Sequence, residues 1–206
     1  ALFFDAFGTD SITSSLIMKA IAQFERSVTS FNAPFDINYP TQKIREYALQ
    51  NPKTRIDSGF MIFALEDTSR VHPGHCWHCH GSSPSTRSYT DFQFHNNGLI
   101  FNGVDSGRMR ITLNPFDRNY FKTPTLRNLV FTAPYMHDGR FKKLSEVIRH
   151  YTSGITNSST LSEPLRKRIE LSSNDKIDLI SFLFTLSDRK FVFNPDLQFP
   201  KEILGK

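Results

Sequence analysis

The residue types best suited to chemistry are crowded into one pentapeptide, Cys76-Trp77-His78-Cys79-His80. It holds both cysteines of the 206-residue sequence, so a four-cysteine zinc ribbon is excluded. Two thiols at this spacing could form a redox pair, but a histidine directly after the second one is the attachment signature of c-type haem. In that chemistry Cys76 and Cys79 form thioethers with the haem, and His80 binds the iron on its proximal side. The pentapeptide therefore predicts one covalent haem c.

The ligand on the opposite side of the iron determines what a haem does. A protein ligand there favours electron transfer, whereas an open position admits peroxide or oxygen. Residue type alone does not choose among the candidates, because a Met usually fills a core and a Tyr is usually half-buried. The candidates after the motif are His95, Met109, Tyr135, Met136, His137, His150 and Tyr151.

Composition excludes some classes of function. No stretch approaches the roughly 18 to 20 apolar residues of a membrane span. The formal net charge is +5, but the densest basic run, Arg166-Lys167-Arg168, is short and favours a solvated helix face over a nucleic-acid site. A bound group that carries carboxylates would offset part of this charge. The 20 Phe residues favour either a pocket around a flat, bulky group or a Phe-rich core.

The haem also predicts the compartment. Covalent attachment of haem c takes place after export, so we expect a periplasmic protein. The chain opens Ala1-Leu2-Phe3-Phe4, without Met and without a basic and apolar leader. We therefore expect either that a leader has been removed or that the chain begins within a longer protein.

Helical spacing of apolar residues predicts an all-α protein with long irregular loops, typical of a cytochrome c-like haem domain. The region 81–123 is rich in Ser, Asn, Gly and Asp, and we predict an irregular loop that wraps the haem edge, with a short strand at Met109–Leu113. The tail from Asp188 contains Phe191, Phe193 and Phe199 without a helical period. The predicted helices span residues 10–30, 41–49, 57–65, 125–129, 144–151 and 174–186.

Several segments resemble the C-terminal haem domain of the bacterial di-haem cytochrome c peroxidases and the related MauG enzymes. The strongest are FKTPTLRN at 121–128 and TAPYMHDGRF at 132–141. The segments 22–36 and 92–99 are similar to the family's linker helix and to the loop after the haem motif. This resemblance implies a helical linker region at 1–66 packed on a haem domain at 67–187, with an extension at 188–206.

The resemblance implies a function for the chain. Family members carry two haems, and the order of motifs matches the half that holds the electron-transfer haem. Hydrogen peroxide would react at a second haem on a missing N-terminal domain or subunit, with electrons supplied by a small donor cytochrome or copper protein. A homodimer is also implied. Alternatives are a single-haem electron carrier without peroxidase activity and an enzyme that oxidises side chains of a partner protein.

The resemblance also assigns a distal ligand. In the peroxidases it is a Met fourteen residues after the His of the Pro-Tyr-x-His block, and here that position after His137 is Tyr151. MauG-type members have Tyr at this place and use it as the ligand. The sequence thus departs from the peroxidase pattern and favours Tyr151, with Met136 as the alternative.

Three further residues receive roles. Arg127 is a candidate partner of a haem propionate, because a guanidinium pairs well with a carboxylate, although capping of a short helix would also explain it. The family binds calcium between its domains through backbone carbonyls beside the Ala of Thr-Ala-Pro. The resemblance carries this site to the carbonyl groups of Thr132 and Pro134.

Overall fold

The computed structural model describes residues 2–65, 73–81, 87–99 and 105–198. Helices dominate these residues, so the predicted all-α class is confirmed. The α-helices are α1 (Leu2–Phe7), α2 (Ser14–Ser27), α3 (Pro34–Asn38), α4 (Gln42–Gln50), α5 (Arg55–Ala64), α6 (Trp77–His80), α7 (Met109–Thr112), α8 (Leu144–Arg149), α9 (Ser173–Phe184) and α10 (Arg189–Val192). Shorter turns are the 3-10 turns Pro115–Asp117, Leu129–Phe131, Glu163–Arg166 and Pro195–Leu197 and the π-helical turn His150–Gly154. Among the described residues, no helix has the length and apolar character that crossing a bilayer requires.

Side-chain caps determine where the longer helices begin. The hydroxyl of Thr41 accepts a hydrogen bond from the N–H three residues into α4, and Ser172 does the same at α9. Thr13 begins α2 and Thr54 begins α5 in the same way. Each cap satisfies a main-chain donor that the helix itself leaves unpaired.

The core lies where α5 packs across α9. The rings of Phe35, Phe60, Phe63 and Phe182 meet here at centroid distances of 5.0–5.1 Å for three of their pairs. Phe63 and Phe182 are fully buried. At the crossing, a Cβ on Gly59 would lie 2.0 Å from the carbonyl oxygen of Asp178, so only glycine permits this approach. Four of the 20 Phe residues of the sequence therefore lie in this core.

A buried ion pair connects helix α3, which precedes α4, to a distant part of the chain. Both Nη atoms of Arg127 donate to the carboxylate of Asp36 in α3, at 2.8 and 2.9 Å. Nearby, the carboxylate of Asp188 accepts a bond from the N–H of Asn32 at 2.9 Å. These contacts join residues 91 and 156 positions apart.

Four local predictions were wrong. Met109–Leu113 is not a strand: Met109–Thr112 form α7, and Leu113 ends it with a left-handed φ of 58°. No helix forms at 125–129, where the chain turns before the 3-10 turn Leu129–Phe131. Inside the predicted loop, β1 (Phe94–His95) pairs antiparallel with β2 (Phe121–Lys122). The tail beyond Asp188 contains the short helix α10, while Phe199 lies outside the described residues.

Candidate haem site

The signature motif folds as the helical turn α6, with Cys76 as the residue before it. The thiols of Cys76 and Cys79 are unpaired. Burial raises the pKa of Cys76 to about 12 and that of Cys79 to about 11. A redox dithiol acts through a thiolate whose pKa is lowered. The surroundings of these cysteines therefore favour thioether attachment over a redox pair.

The loop after α6 supports His80 from behind. Nδ1 of His80 lies 3.0 Å from the carbonyl oxygen of Tyr89, to which a protonated Nδ1 donates. That tautomer leaves Nε2 with its lone pair, which is the form in which imidazole binds iron. Burial lowers the pKa of His80, so the ring is neutral at pH 7. This geometry fits the proximal role predicted from the motif.

Asp91 connects α6 to the β-ladder. Its N–H donates to the carbonyl oxygen of Cys79 at 2.9 Å, and its carboxylate accepts a bond from Nε2 of His95 at 2.7 Å. Burial opposes ionisation, but hydrogen bonds from Gln93 and His95 outweigh it and lower the pKa of Asp91. Cys79, Asp91 and His95 bring ligand atoms within 4.8 Å of one another. Since Cys79 is predicted to be a thioether, we interpret this cluster as a support for α6.

Tyr151 lies in the π-helical turn that continues α8, so the predicted helix changes form at its last two residues. Such turns occur often at functional sites. Burial raises the pKa of Tyr151 to about 12, a hydrogen bond from Asn97 lowers it, and the neighbouring Cys76 and Cys79 raise it. A bound cation is what would stabilise the phenolate in this position. The surroundings on their own therefore favour the neutral phenol, and the role of Tyr151 as an iron ligand stays a prediction.

Met136, the alternative ligand, adopts a left-handed backbone with a φ of 71°. Its Sδ lies 3.8 Å from Nδ2 of Asn97. The same Asn97 side chain lies near Tyr151 and lowers its pKa against the effect of burial. The structure thus brings the two candidate distal ligands to one amide, a feature for which sequence reasoning had no signal.

Three of the other candidates have partners of their own. Nε2 of His150 lies 3.0 Å from the carbonyl oxygen of Asn97, and burial lowers the pKa of this histidine. The hydroxyl of Tyr135 donates to a main-chain carbonyl at 2.7 Å. The exposed His137 lies 2.9 Å from Asp105 through Nε2. These contacts give each side chain a structural role.

Arg127 is 6% exposed and makes its bidentate contact with Asp36, while its Nε donates to the carbonyl oxygen of Arg87 at 2.9 Å. The alternative that it caps a short helix is wrong, because no helix forms at 125–129. The propionate contact stays a prediction. In this structure the carboxylate that Arg127 holds belongs to the protein itself.

The predicted calcium residues lie on an exposed turn. Thr132 and Pro134 follow the 3-10 turn Leu129–Phe131, and the N–H of Tyr135 then donates to the carbonyl oxygen of Phe141 at 2.6 Å. This bond closes the loop on itself. Exposure leaves the turn accessible to a further domain, and the calcium site stays a prediction.

A cavity of about 480 Å³ lies beside Tyr151. Its volume is in the range typical of cofactor pockets. Apolar side chains and a basic run share its lining, which includes Ile155, Leu161, Leu165, Ile169 and residues 166–168. The basic run is exposed, as predicted, but it is not a helix face, because only Arg166 belongs to a helical turn.

These residues fit a covalently attached haem. The site provides two thiols that form no disulfide on one helical turn, an imidazole whose Nδ1 is occupied by a carbonyl group, and the phenol of Tyr151, whose pKa both cysteines raise. Cys76, Cys79 and His80 do not line the cavity beside Tyr151, so the fit rests on these donor groups and not on that cavity. Cys76, Cys79, His80 and Tyr151 are the residues that would hold it.

Comparisons with known proteins agree with this donor set. No family model matches the chain. The chain is 36% identical over 187 residues to the methylamine utilization protein MauG of Methylophilus methylotrophus, covering 90% of this chain and 50% of that protein. It is 29% identical over 199 residues to the cytochrome c551 peroxidase of Nitrosomonas europaea, covering 96% and 51%.

Among solved structures, the chain is similar to a MauG-like protein associated with microbial copper homeostasis. The TM-score is 0.72 at 28% identity, covering 96% of this chain and 64% of that one. The cytochrome c-like fold predicted from the sequence is confirmed by this similarity. The chain spans about half the length of the curated relatives it matches. It belongs to the haem c-containing family of MauG proteins and bacterial di-haem cytochrome c peroxidases.

Proposed function

We propose that this chain is the electron-transfer haem half of a di-haem oxidoreductase, of the MauG type rather than the Met-ligated peroxidase type. Cys76 and Cys79 attach the haem, His80 is the proximal ligand and Tyr151 is the distal ligand. The observation that carries this proposal is the position of Tyr151 in the π-helical turn after α8, where burial and the charges of Cys76 and Cys79 raise its pKa.

The choice between Tyr151 and Met136 has a chemical consequence. A bound haem c supplies one-electron redox chemistry at this site. Phenolate is a hard, anionic donor that favours ferric iron, whereas the soft thioether of Met raises the reduction potential. With Tyr151 the site has a low potential and suits the retention of an oxidising equivalent. With Met136 it would suit simple electron delivery to a peroxide-binding haem.

The ferric near-infrared spectrum of the holoprotein tests the proposed ligand. We expect no sulfur-to-iron charge-transfer band in the wild type, because the phenolate of Tyr151 occupies the iron. Tyr151→Phe should change the ferric spectrum and raise the midpoint potential measured by spectroelectrochemistry. Met136→Leu is the matched control and should leave both unchanged. A sulfur band that is present in the wild type, survives Tyr151→Phe and disappears in Met136→Leu would contradict the proposal.

The remainder of the assembly belongs to the same proposal. Because the chain spans about half of its relatives, we place the peroxidatic haem on a further domain or subunit. Hydrogen peroxide reacts there, and a small donor cytochrome or copper protein supplies electrons. The complete protein works in the periplasm, where haem c is attached, and forms a homodimer. The Nitrosomonas relative is a cytochrome c551 peroxidase, which supports the peroxide substrate.

Within the chain, we assign residues 67–187 to the haem domain, 1–66 to a helical region packed on it and 188–206 to an extension. The packing of α5 against α9 supports the assignment of residues 1–66 as a region that packs on the haem domain. Calcium binds between this chain and the further domain through the main-chain carbonyl groups of Thr132 and Pro134, since calcium prefers oxygen ligands and the turn is exposed. Water and the other domain complete its coordination.

A further inference from the structure

Asn97 lies where the two candidate distal ligands meet. Nδ2 of Asn97 is 3.8 Å from Sδ of Met136, and the Asn97 side chain lies near Tyr151, whose pKa it lowers against the effect of burial. The main-chain oxygen of Asn97 also accepts a bond from Nε2 of His150, the residue before Tyr151, at 3.0 Å. Asn97 is therefore connected both to the π-helical turn and to the Met136 loop.

The orientation of the Asn97 amide is determined by its other contact. Oδ1 of Asn97 accepts a hydrogen bond from the N–H of Leu99 at 3.1 Å. A main-chain N–H can only donate, so the oxygen must face Leu99 and the NH2 group must face the other way. The two hydrogens of Nδ2 are then the donors available to Met136 and Tyr151.

These donors affect the two ligands in opposite ways. A donor to the Tyr151 oxygen stabilises the negative charge that phenolate must carry when it binds iron. A donor to Sδ of Met136 occupies a lone pair that iron would otherwise use, and it holds the thioether at the amide. Both effects favour phenolate ligation.

We propose that Asn97 is a positioning residue that selects Tyr151 over Met136 as the distal iron ligand. The inference rests on the proposed function, because it presumes that Tyr151 is the ligand of the wild-type protein. It adds a reason why the thioether of Met136, on a neighbouring loop, does not become the distal ligand of the iron.

Two variants of the holoprotein test the selection. Asn97→Leu removes the whole amide. Asn97→Asp keeps an acceptor for the Leu99 N–H but offers no N–H donor to Met136 or Tyr151. In each variant we expect the ratio of Tyr-ligated to Met-ligated ferric protein to fall on the order of tenfold to a hundredfold, as for loss of a hydrogen bond to a charged group. The readouts are the sulfur-to-iron near-infrared band and a rise in midpoint potential.

Two further variants complete the design. Adding Met136→Leu to Asn97→Asp should abolish the new band, which assigns it to Met136. Asn51→Leu is the control. It removes an exposed amide that directly follows α4 and donates to the carbonyl oxygen of Tyr47, and it should leave the spectrum as in the wild type.

The possible outcomes separate this inference from the proposed function. Asn97 variants with wild-type spectrum and potential would overturn the selection, as would loss of phenolate ligation without a sulfur band. In both cases the assignment of Tyr151 in the wild type would stand. A sulfur band in the wild-type protein itself would instead overturn the proposed ligand, and the selection with it.

Discussion

At the scale of single residues, buried carboxylates hold separate segments together. Asp36 accepts two hydrogen bonds from Arg127, and Asp188 accepts bonds from Asn32 and from the N–H of Phe191 in α10. Asp57 in α5 accepts bonds from the hydroxyl of Tyr39 and the main-chain N–H groups of Lys53 and Thr54. Each carboxylate accepts hydrogen bonds from more than one donor and so joins the segments that carry those donors.

The pH dependence of stability should reveal the contribution of Asp57. Burial opposes its ionisation, but bonds from Tyr39, Lys53 and Thr54 prevail and lower its pKa below the ordinary 3.8. A lowered folded pKa means that the stabilisation is complete above the unfolded pKa and is lost as pH falls through the folded pKa. We expect Asp57→Asn to cost about 1–2 kcal/mol of unfolding free energy at pH 7 and progressively less below about pH 4.

Urea unfolding of the wild-type and variant holoproteins at pH 7, 5 and 3 measures this difference. Asp10→Asn is the control, because Asp10 is exposed and should change stability little at any of these values. A cost of Asp57→Asn that stays the same from pH 7 to pH 3 would show that the amide loses shape complementarity rather than charge.

The sequence predicted some of the groups that form the site but not the groups that support them. The motif alone indicated the two thiols and the imidazole, because covalent attachment requires those residue types at that spacing. The supports came only from the structure: a main-chain carbonyl at Tyr89, the carboxylate of Asp91 and the amide of Asn97. A carbonyl group belongs to every residue, and the other two lie in a loop without periodicity, so no pattern indicated them.

At the scale of elements, the crossing of α5 and α9 depends on the absence of one side chain. A Cβ on Gly59 would lie 2.0 Å from the carbonyl oxygen of Asp178 and 2.8 Å from Cβ of Phe182. Helix propensity predicts that Gly→Ala within a helix stabilises it by about 1 kcal/mol. At this position we expect the opposite sign, because the two backbones would have to move apart and disturb the phenylalanine core.

Thermal and urea unfolding of Gly59→Ala should therefore show a loss of about 1–3 kcal/mol. Ser58→Ala, the neighbouring position in α5, introduces the same side chain without the contact at the crossing. We expect that control to remain within about 0.5 kcal/mol of the wild type. An increase in the stability of Gly59→Ala would contradict the observed approach of the helices.

The elements also show where sequence reasoning succeeds. Helices with a hydroxyl cap and a repeated apolar face, such as α4 and α9, were predicted to within one or two residues at each end. The segment Met109–Leu113 was wrong because five residues with alternating apolar positions suit a strand and a helical turn equally well. The β-ladder has two residues on each strand, too few to leave a periodic signal.

At the scale of the whole molecule, contacts between distant positions bring the haem motif to the core. Ile62 in α5 accepts a bond from the N–H of Gly74 at 2.9 Å, just before the motif. Trp77 of the motif meets the buried ring of Phe63 at 5.9 Å between centroids, in an edge-on arrangement. The motif is therefore packed against the same core that α5 and α9 form, and haem attachment should affect the stability of the entire chain.

Changing both cysteines to Ser should accordingly affect attachment and folding together. In the Cys76→Ser/Cys79→Ser variant we expect haem to be removed by acid–acetone extraction, whereas the wild type retains it through its thioether bonds. We also expect the variant to lose most of its cooperative unfolding transition, because Trp77 of the motif packs on Phe63 of the core and a bound group stabilises the fold that binds it. Tyr151→Phe separates the two effects, since it changes the distal side but leaves both thiols and should retain haem on extraction. Normal cooperative folding of the double Ser variant without haem would show that the protein core closes independently of the cofactor.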